Sequence, residues 1–157
     1  MGVRSKSKAI PEGMTARGHD ALGEFKLNGN AKRRGELLDE ALPGIEVHGG
    51  VRYFTGMRPK TLRTLLEEGF ADGAERQNAA PSIAELLHYM ESHPKVSAIG
   101  YAVDPEREDY RVSVEGLVLA FPYSDEQEQS FRGFCDSADE LFLTDSVVGH
   151  GLRAWWD

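Results

Sequence analysis

The fold is decided by residues 96–119, which read VSAIGYAVDPEREDYRVSVEGLVL. Two segments rich in β-branched and aromatic residues flank a charged turn at 104–109, and this composition predicts an antiparallel β-hairpin. In the second segment Val112 and Val114 alternate with polar residues, so one face of that strand is expected in the core and the other in water. Beyond Gly116 both faces become apolar, which predicts a β-bulge at that glycine or an end that is covered on both sides.

A second hairpin is predicted upstream, around Gly49–Gly50, because paired glycines supply the positive φ that a tight turn needs. The alternation of apolar and polar residues favours a three-residue loop that pairs Val47 with Tyr53 and His48 with Arg52. One face of this hairpin would then be mostly polar.

Helical periodicity and capping signals predict four helices. Residues 31–42 form the first pattern, and Pro59 begins the second. Ser82 and Ser124 each precede a Glu or Gln by three residues, which is the spacing of a capping box. The predicted order is helix, hairpin, two helices, hairpin, helix and a final strand pair. We therefore expect a single-domain α+β fold, with a mainly antiparallel sheet built from β-hairpins and helices packed on one face.

Charge is distributed unevenly along the chain. Residues 1–34 contain eight Lys or Arg and three acidic residues, whereas residues 35–157 contain ten Lys or Arg and twenty-three acidic residues. Apolar residues are sparse and aperiodic before residue 30, too few to offset the entropy cost of ordering the segment. The sequence predicts a mobile basic N-terminal arm at 1–30 and a single acidic α+β domain at 31–157.

The sequence favours a cytoplasmic protein without a membrane segment. No apolar run approaches the roughly 20 residues that a membrane-spanning helix requires, and no apolar secretion signal precedes the body. The single cysteine, Cys135, cannot form an internal disulfide, which fits a reducing compartment. It ends a predicted helix, where the dipole raises the thiol pKa, so we expect a buried structural thiol.

One arrangement of residues is suited to acid–base chemistry. On the polar face of the first hairpin, Glu46, His48 and Arg52 would lie near one another, with Arg58 just beyond. A carboxylate, an imidazole and a guanidinium are the components of a site that acts on an anionic substrate. The same residues also fit a solvated sheet face with a cross-strand polar pair.

Two other groupings lack parts that their chemistry needs. Glu85 and His88 have the Glu-x-x-His spacing of carboxylate-bridged metal sites, but the chain has no second copy of the motif. Asp145, Ser146 and His150 are residue types of a hydrolytic triad, yet the chain has no Gly-x-Ser-x-Gly elbow. Phosphate-binding loops and dinucleotide motifs are also missing. We expect no metal site and no cofactor.

The C-terminal third favours binding over catalysis. Residues 104–157 contain thirteen acidic residues, four Arg and no Lys. Such a surface repels nucleic acid and attracts basic proteins, although solubility alone also explains it. Adjacent tryptophans in a strand point to opposite faces, so one is expected in the core and the other is either covered or available to a partner. The residues predicted to bind the partner are Asp136, Asp139, Glu140, Trp155 and Trp156.

The leading hypothesis is a small soluble protein-binding or regulatory module, of the inhibitor, immunity or adaptor type, that acts through its acidic C-terminal surface on a basic protein. The alternative is a small enzyme that acts on an anionic substrate through the Glu/His/Arg site of the first hairpin. A less favoured role is contact between the basic arm and nucleic-acid phosphates. Only Phe25 offers a ring for base stacking there. The sequence does not define the oligomeric state.

Overall fold

The computed structural model describes residues 25–47, 49–146 and 149–157, and for residues 42–47, 146 and 149 it describes the backbone alone. Of the predicted arm, residues 1–24 lie outside the described residues, and residues 25–30 are described. The described part contains four helices: α1 (Ala31–Leu38), α2 (Pro59–Glu67), α3 (Ile83–Glu91) and α4 (Asp125–Phe134). It also contains six strands: β1 (Leu42–Val47), β2 (Val51–Met57), β3 (Val96–Val103), β4 (Arg111–Ala120), β5 (Glu140–Ser146) and β6 (Gly149–Trp155).

The six strands form one antiparallel sheet in the order β1-β2-β3-β4-β6-β5. The predicted α+β class, with a mainly antiparallel sheet in a single domain, is confirmed, and so is the predicted order of elements. The further expectation that the helices pack on one face stays a prediction. Sheet order places β1 and β5 at the two edges, so each of these strands has one described neighbour.

The bulge predicted in β4 is present. Gly100 pairs with Val114, whereas the preceding residue, Ile99, pairs with Gly116, so Glu115 is an extra residue in β4. An extra residue reverses the side-chain alternation, and the residues that point into the core change from even to odd numbers. The core side chains of β4 are Val112, Val114, Leu117 and Leu119.

The first hairpin has a different register from the predicted one. Its loop is residues 48–50, with Val47 opposite Val51 and Glu46 opposite Arg52. The loop has the predicted length of three residues. It ends at residue 50, whereas the prediction placed Val51 in the loop. The structure therefore contradicts both predicted pairs, Val47 with Tyr53 and His48 with Arg52.

Pairing on the other side of β2 explains this register. Val51 is opposite Val103 of β3, which keeps Val51 within the strand. Gly49 and Gly50 have φ angles of 79° and 77°, a conformation that favours glycine. The Gly50 carbonyl accepts a hydrogen bond of 2.7 Å from the backbone N–H of Asp104, which joins the loop to the end of β3.

Side-chain caps begin three of the helices. Ser82 Oγ accepts a hydrogen bond from the Glu85 N–H, and Glu85 Oε1 accepts one from the Ser82 N–H. Ser124 and Gln127 make the same reciprocal pair, so both predicted capping boxes are present. Asn30 caps α1 by accepting from a backbone N–H in its first turn. The first helix is shorter than its periodicity predicts, because the chain enters β1 four residues after α1 ends.

The segment 25–30 lies against the folded body. The backbone N–H of Asn28 donates to the Gly69 carbonyl at 2.8 Å, and its side-chain amide donates to the Glu68 carbonyl at 2.8 Å. Arg33 in α1 makes a bidentate contact with the Glu68 carboxylate, at 2.8 and 2.7 Å. These contacts join the start of α1 to the end of α2.

The hydrophobic core combines side chains from every helix with alternate residues of the central strands. Its largest fully buried members are Trp156, Phe70 and Phe131. Cys135, which caps the C-terminus of α4, is also buried, and burial raises the pKa of its thiol to about 12. The prediction of a buried cysteine is confirmed.

Candidate functional site

Two of the four predicted catalytic residues have no described side chain. His48 lies outside the described residues, and Glu46 is described by its backbone alone. Directly opposite Glu46, Arg52 is exposed. Residues directly opposite in an antiparallel pair share a face, so the register places Glu46 and Arg52 on the same side of the hairpin.

Arg58 does not belong to that group. Its guanidinium donates to the Pro94 carbonyl at 2.6 Å and to the Val96 carbonyl at 3.3 Å, at the start of β3. Six residues of extended chain separate it from Arg52, a span of roughly 20 Å. The structure therefore assigns Arg58 to anchoring the β2–α2 junction and separates it from the rest of the predicted site.

The predicted partner-binding residues divide into buried and exposed members. Trp156 is 1% exposed, and its indole N–H donates to Ser137 Oγ at 3.1 Å, so it belongs to the core. Trp155 is half-buried, and its side chain hydrogen-bonds the Glu115 carboxylate. Burial raises the pKa of Glu115, which Trp155 and Arg153 partly oppose by favouring the charged form.

The three predicted acidic residues are all exposed. Asp139 has a structural contact as well, because its Oδ2 accepts the backbone N–H of Asp157 at 2.7 Å. Its own N–H donates to the Trp155 carbonyl at 3.0 Å. Asp136 lies in the loop before β5, and Glu140 is the first residue of that strand.

Strand β5 combines exposed apolar side chains with flanking acids. Leu143 is 63% exposed and Phe142 is 42% exposed, on opposite faces of the strand. Glu140 begins the strand and Asp145 lies near its end, and both are exposed. The strand contains no Lys or Arg. We call this region, residues 136–146, the β5 edge.

A side-chain contact joins β5 and β6 near their hairpin turn. His150 Nδ1 lies 2.9 Å from Asp145 Oδ1, and the two side chains are 65% and 81% exposed. Ser146, the third residue of the sequence grouping, is described by its backbone alone. A contact this exposed competes with water and contributes little to stability.

A concavity large enough to hold a small molecule lies toward the opposite end of the sheet, between α1 and strands β2 and β3. It has a volume of about 470 Å³. We call it the Arg34 cleft. Charged and apolar side chains both line it, among them Arg34, Leu38, Asp39, Arg52, Phe54 and Asp104.

Arg34 is a buried cation, with 6% of its surface exposed. Its NH1 donates to the Val103 carbonyl at 2.8 Å and to the Arg111 carbonyl at 3.3 Å, and its guanidinium lies 4.2 Å from the centre of the Tyr110 ring. Burial lowers the pKa of Arg34. Tyr110 and Asp104 oppose this shift, whereas the nearby charge of Arg52 adds to it. No described carboxylate lies within ion-pair distance of it.

In the sequence, Arg34 is the last of the eight basic residues of the segment 1–34. One signal pointed to burial: Arg34 precedes Leu37 and Leu38 by three and four residues, the spacing of a shared helical face. In the structure Leu37 is buried in the core, on the same helix face as Arg34. Tyr110 and Asp104 come from a distant turn, which no local pattern connects to α1.

A polar network ties the loop between α2 and α3 to the sheet. Glu75 Oε2 accepts hydrogen bonds from Ser113 Oγ at 2.9 Å and from Arg111 Nε at 3.2 Å. Gln77 donates to Ser113 Oγ at 3.0 Å, and Arg111 NH2 donates to the Tyr101 hydroxyl at 3.2 Å. Because Arg111 neutralises the carboxylate, this network acts as a clamp between the loop and the sheet.

Neither a metal-binding cluster nor a membrane-spanning helix is found in the described part of the chain. The described part of the chain holds no group of three or more His, Cys, Asp or Glu side chains that could bind a metal ion. Among its helices, none is both long and apolar enough to cross a membrane.

No protein-family model matches the chain, and neither a curated protein nor a solved structure matches it. Its function has to be inferred from the chemistry of its surfaces. The β5 edge and the Arg34 cleft are the two regions whose chemistry points to a ligand.

Proposed function

We propose that this protein is a small protein-binding or regulatory module, of the inhibitor, immunity or adaptor type, which acts through its acidic C-terminal surface. The observation that carries this proposal is the exposure of Leu143 and Phe142 on the edge strand β5, between acidic residues. Edge strands are sites where another chain can add a strand, and soluble proteins commonly protect them with Lys, Pro or a covering element. The sequence of β5 has neither Lys nor Pro.

Charge defines the expected partner. Asp136, Asp139 and Glu140 precede the apolar side chains, and Asp145 follows them. A basic protein with an apolar contact surface would complement this arrangement, and its approach would be accelerated by electrostatic attraction. The acids at the margin would set partner choice, while Leu143 and Phe142 would supply the buried contact.

The two tryptophans have different parts in this proposal. Trp156 supports the surface from within the core, because its side chain is buried beneath it. Trp155 is half-buried and held by Glu115, so it offers a partner at most part of its ring. The binding residues are thus Asp136, Glu140 and the apolar pair of β5, with Asp139 holding the C-terminal residue in place.

The proposed location is the cytoplasm, where the unpaired Cys135 thiol would stay reduced. A catalytic role at the first hairpin has less support, because Arg58 is engaged by two carbonyl groups far from Arg52.

The experiment is an affinity capture from native extract that compares two double variants of equal charge change. Asp136→Lys with Glu140→Lys alters the β5 edge. Glu106→Lys with Glu108→Lys alters exposed acids of the β3–β4 turn and is the matched control. We expect a basic protein to be retained by the unaltered chain and by the control, and lost from the β5-edge variant.

The apolar part of the surface is tested in the same assay by Leu143→Asp. This change adds an acid, so a purely electrostatic surface would keep or strengthen its hold on a basic partner. We expect the partner to be lost, because the exposed apolar contact is removed. Equal retention by all variants would refute the proposal.

A further inference from the structure

The Arg34 cleft is far from the β5 edge and has a different chemistry. Its volume of about 470 Å³ falls in the range of roughly 300–1,000 Å³ that is common for small-molecule sites. It lies between a helix and two strands, on rigid elements that hold side chains in place. The cleft therefore has the size and the setting of a small-molecule site.

The buried guanidinium of Arg34 points to an anionic ligand. A guanidinium carries five N–H donors, and the hydrogen bonds of Arg34 to described residues all come from NH1. Burying a cation without an ion-pair partner is costly. Asp104 favours the charged form of Arg34 only from beyond ion-pair distance, so an anion that enters the cleft would offset more of that cost. The Tyr110 ring and the two carbonyl groups hold the guanidinium in place. Because it is already ordered, ligand binding would cost little side-chain entropy.

A second cation and two acids limit the charge that the ligand can carry. Arg52 lines the cleft, and it lies near enough to Arg34 to lower the pKa of that guanidinium. Asp39 and Asp104 also line the cleft, and neither makes an ion pair with a described residue. Because the two acids offset the two arginines, the lining carries no net charge and disfavours polyanions such as nucleotides. Any single anionic group would have to bind at the arginines and away from the acids.

The remaining lining is apolar. Leu38 comes from α1, Phe54 from β2 and Ala102 from β3. Phe54 and Ala102 are buried members of the core, so the cleft has an apolar floor that would pack against a hydrocarbon or aromatic body. We propose that the Arg34 cleft binds a small organic carboxylate with an apolar body, with Arg34 and Arg52 on the carboxylate and Phe54 beneath the body.

The test uses the full chain and two compounds that differ only in the anionic group, 3-phenylpropionate and 3-phenylpropan-1-ol. Backbone amide shifts are followed by nuclear magnetic resonance during titration, and affinity is taken from the same curves. We expect saturable binding of the carboxylate, with shifts concentrated at residues 34–39, 52–54 and 102–105. The alcohol should bind at least about tenfold more weakly, since it lacks the charge-assisted hydrogen bonds.

Arg52→Gln is the decisive variant because Arg52 is exposed and no hydrogen bond or ion pair joins its side chain to a described side chain. We expect it to weaken 3-phenylpropionate binding by about tenfold. The matched control is Arg132→Gln, an exposed arginine of α4 that forms an ion pair with Glu128. It should leave the affinity unchanged.

Several results would overturn the proposal. Two concern the ligands: absence of saturable binding by 3-phenylpropionate, and equal affinity for the alcohol. Two concern the site: an unchanged affinity in Arg52→Gln, and amide shifts confined to residues outside the cleft. Tighter binding of inorganic phosphate than of 3-phenylpropionate would also overturn it, because the apolar floor would then contribute nothing. None of these results depends on the β5 edge, so this proposal and the proposed function can fail separately.

Discussion

The two ends of the sheet expose opposite kinds of side chain. Helix α1 lies beside β2 and β3, and the Arg34 cleft between them is lined by charged groups together with apolar side chains. At β5, apolar side chains are the exposed ones and acids surround them. We propose different ligands for the two ends for this reason: a cleft under a helix can enclose a small molecule, whereas an uncovered edge strand can present a contact surface to another chain.

Each end is held to the centre of the molecule by one buried anchor. Trp156 fixes the β5 end through the core and through Ser137. Arg34 fixes the cleft end through the carbonyl groups of Val103 and Arg111. The first anchor is a large apolar group and the second is a cation. Replacing them should therefore lower the free energy of unfolding by different amounts.

The largest effect is expected from Trp156→Ala. Removing a fully buried aromatic side chain should lower the free energy of unfolding by about 3–5 kcal/mol, through lost burial and the cavity that remains. Denaturant titration measures it. Trp155→Ala, at the half-buried neighbour, is the control and should cost clearly less. A smaller loss for Trp156 than for Trp155 would contradict the assignment of Trp156 as the anchor of this end.

The next effect is expected from Arg34→Met, which keeps most of the side-chain volume. Two carbonyl groups would lose their donor, at a cost of about 1–3 kcal/mol in the free energy of unfolding. The control is Arg33→Met on the same helix. Its ion pair with Glu68 is open to water and screened by it, so its loss should cost clearly less. Equal costs for the two variants would show that Arg34 is no anchor.

The third prediction concerns pH at the β5 end, where Glu115 lies under Trp155. Burial raises the pKa of Glu115 in the folded chain above its ordinary value of 4.5. The folded state therefore holds this proton more tightly than the unfolded state does. Its contribution to stability is fully present below the unfolded pKa and is lost as pH rises through the folded pKa.

Glu115→Gln cannot titrate at this position, so the unaltered chain should lose stability relative to the variant as pH rises above 4.5. Denaturant titrations of both proteins across that range measure the difference. Parallel stability profiles would show that Glu115 keeps its ordinary pKa in the folded chain.

The smallest effects on folding are expected where ligands should bind. Leu143→Asp and Arg52→Gln change exposed side chains, so each should alter the free energy of unfolding by no more than about 0.5 kcal/mol. Their thermal unfolding midpoints should match that of the unaltered chain. A clear loss of stability in either variant would mean that the residue supports the fold, and its effect on binding would then need a structural explanation.

Sequence patterns predicted most of the fold because the decisive signals were local. Capping boxes at Ser82 and Ser124, the alternation around Val112 and the bulge near Gly116 each depend on residues within a few positions of one another. The register of the first hairpin was predicted wrongly for the opposite reason. It is set by pairing of Val51 with Val103, a contact between segments far apart in sequence.

The same distinction separates the two candidate sites. The acids Asp136, Asp139 and Glu140 of the β5 edge were predicted as binding residues, because they are close together in the sequence. The exposed Leu143 and Phe142 were not, because the sequence pattern does not show that β5 is an edge strand. The Arg34 cleft could not, because its walls come from α1, β2 and the turn after β3, which only the folded chain brings together. Arg52 was a predicted candidate, but its neighbours in the structure are Arg34, Phe54 and Asp104 rather than Arg58.

The extra residue in β4 has a consequence for any alteration of this chain. Glu115 reverses the alternation of side chains along β4. Before it the even-numbered residues point into the core, and after it the odd-numbered residues do. Deleting one residue there would bring the strand back into phase and turn either the Val112 side or the Leu119 side out of the core. A single-residue deletion at 115 would thus change more side-chain environments than any substitution in the strand.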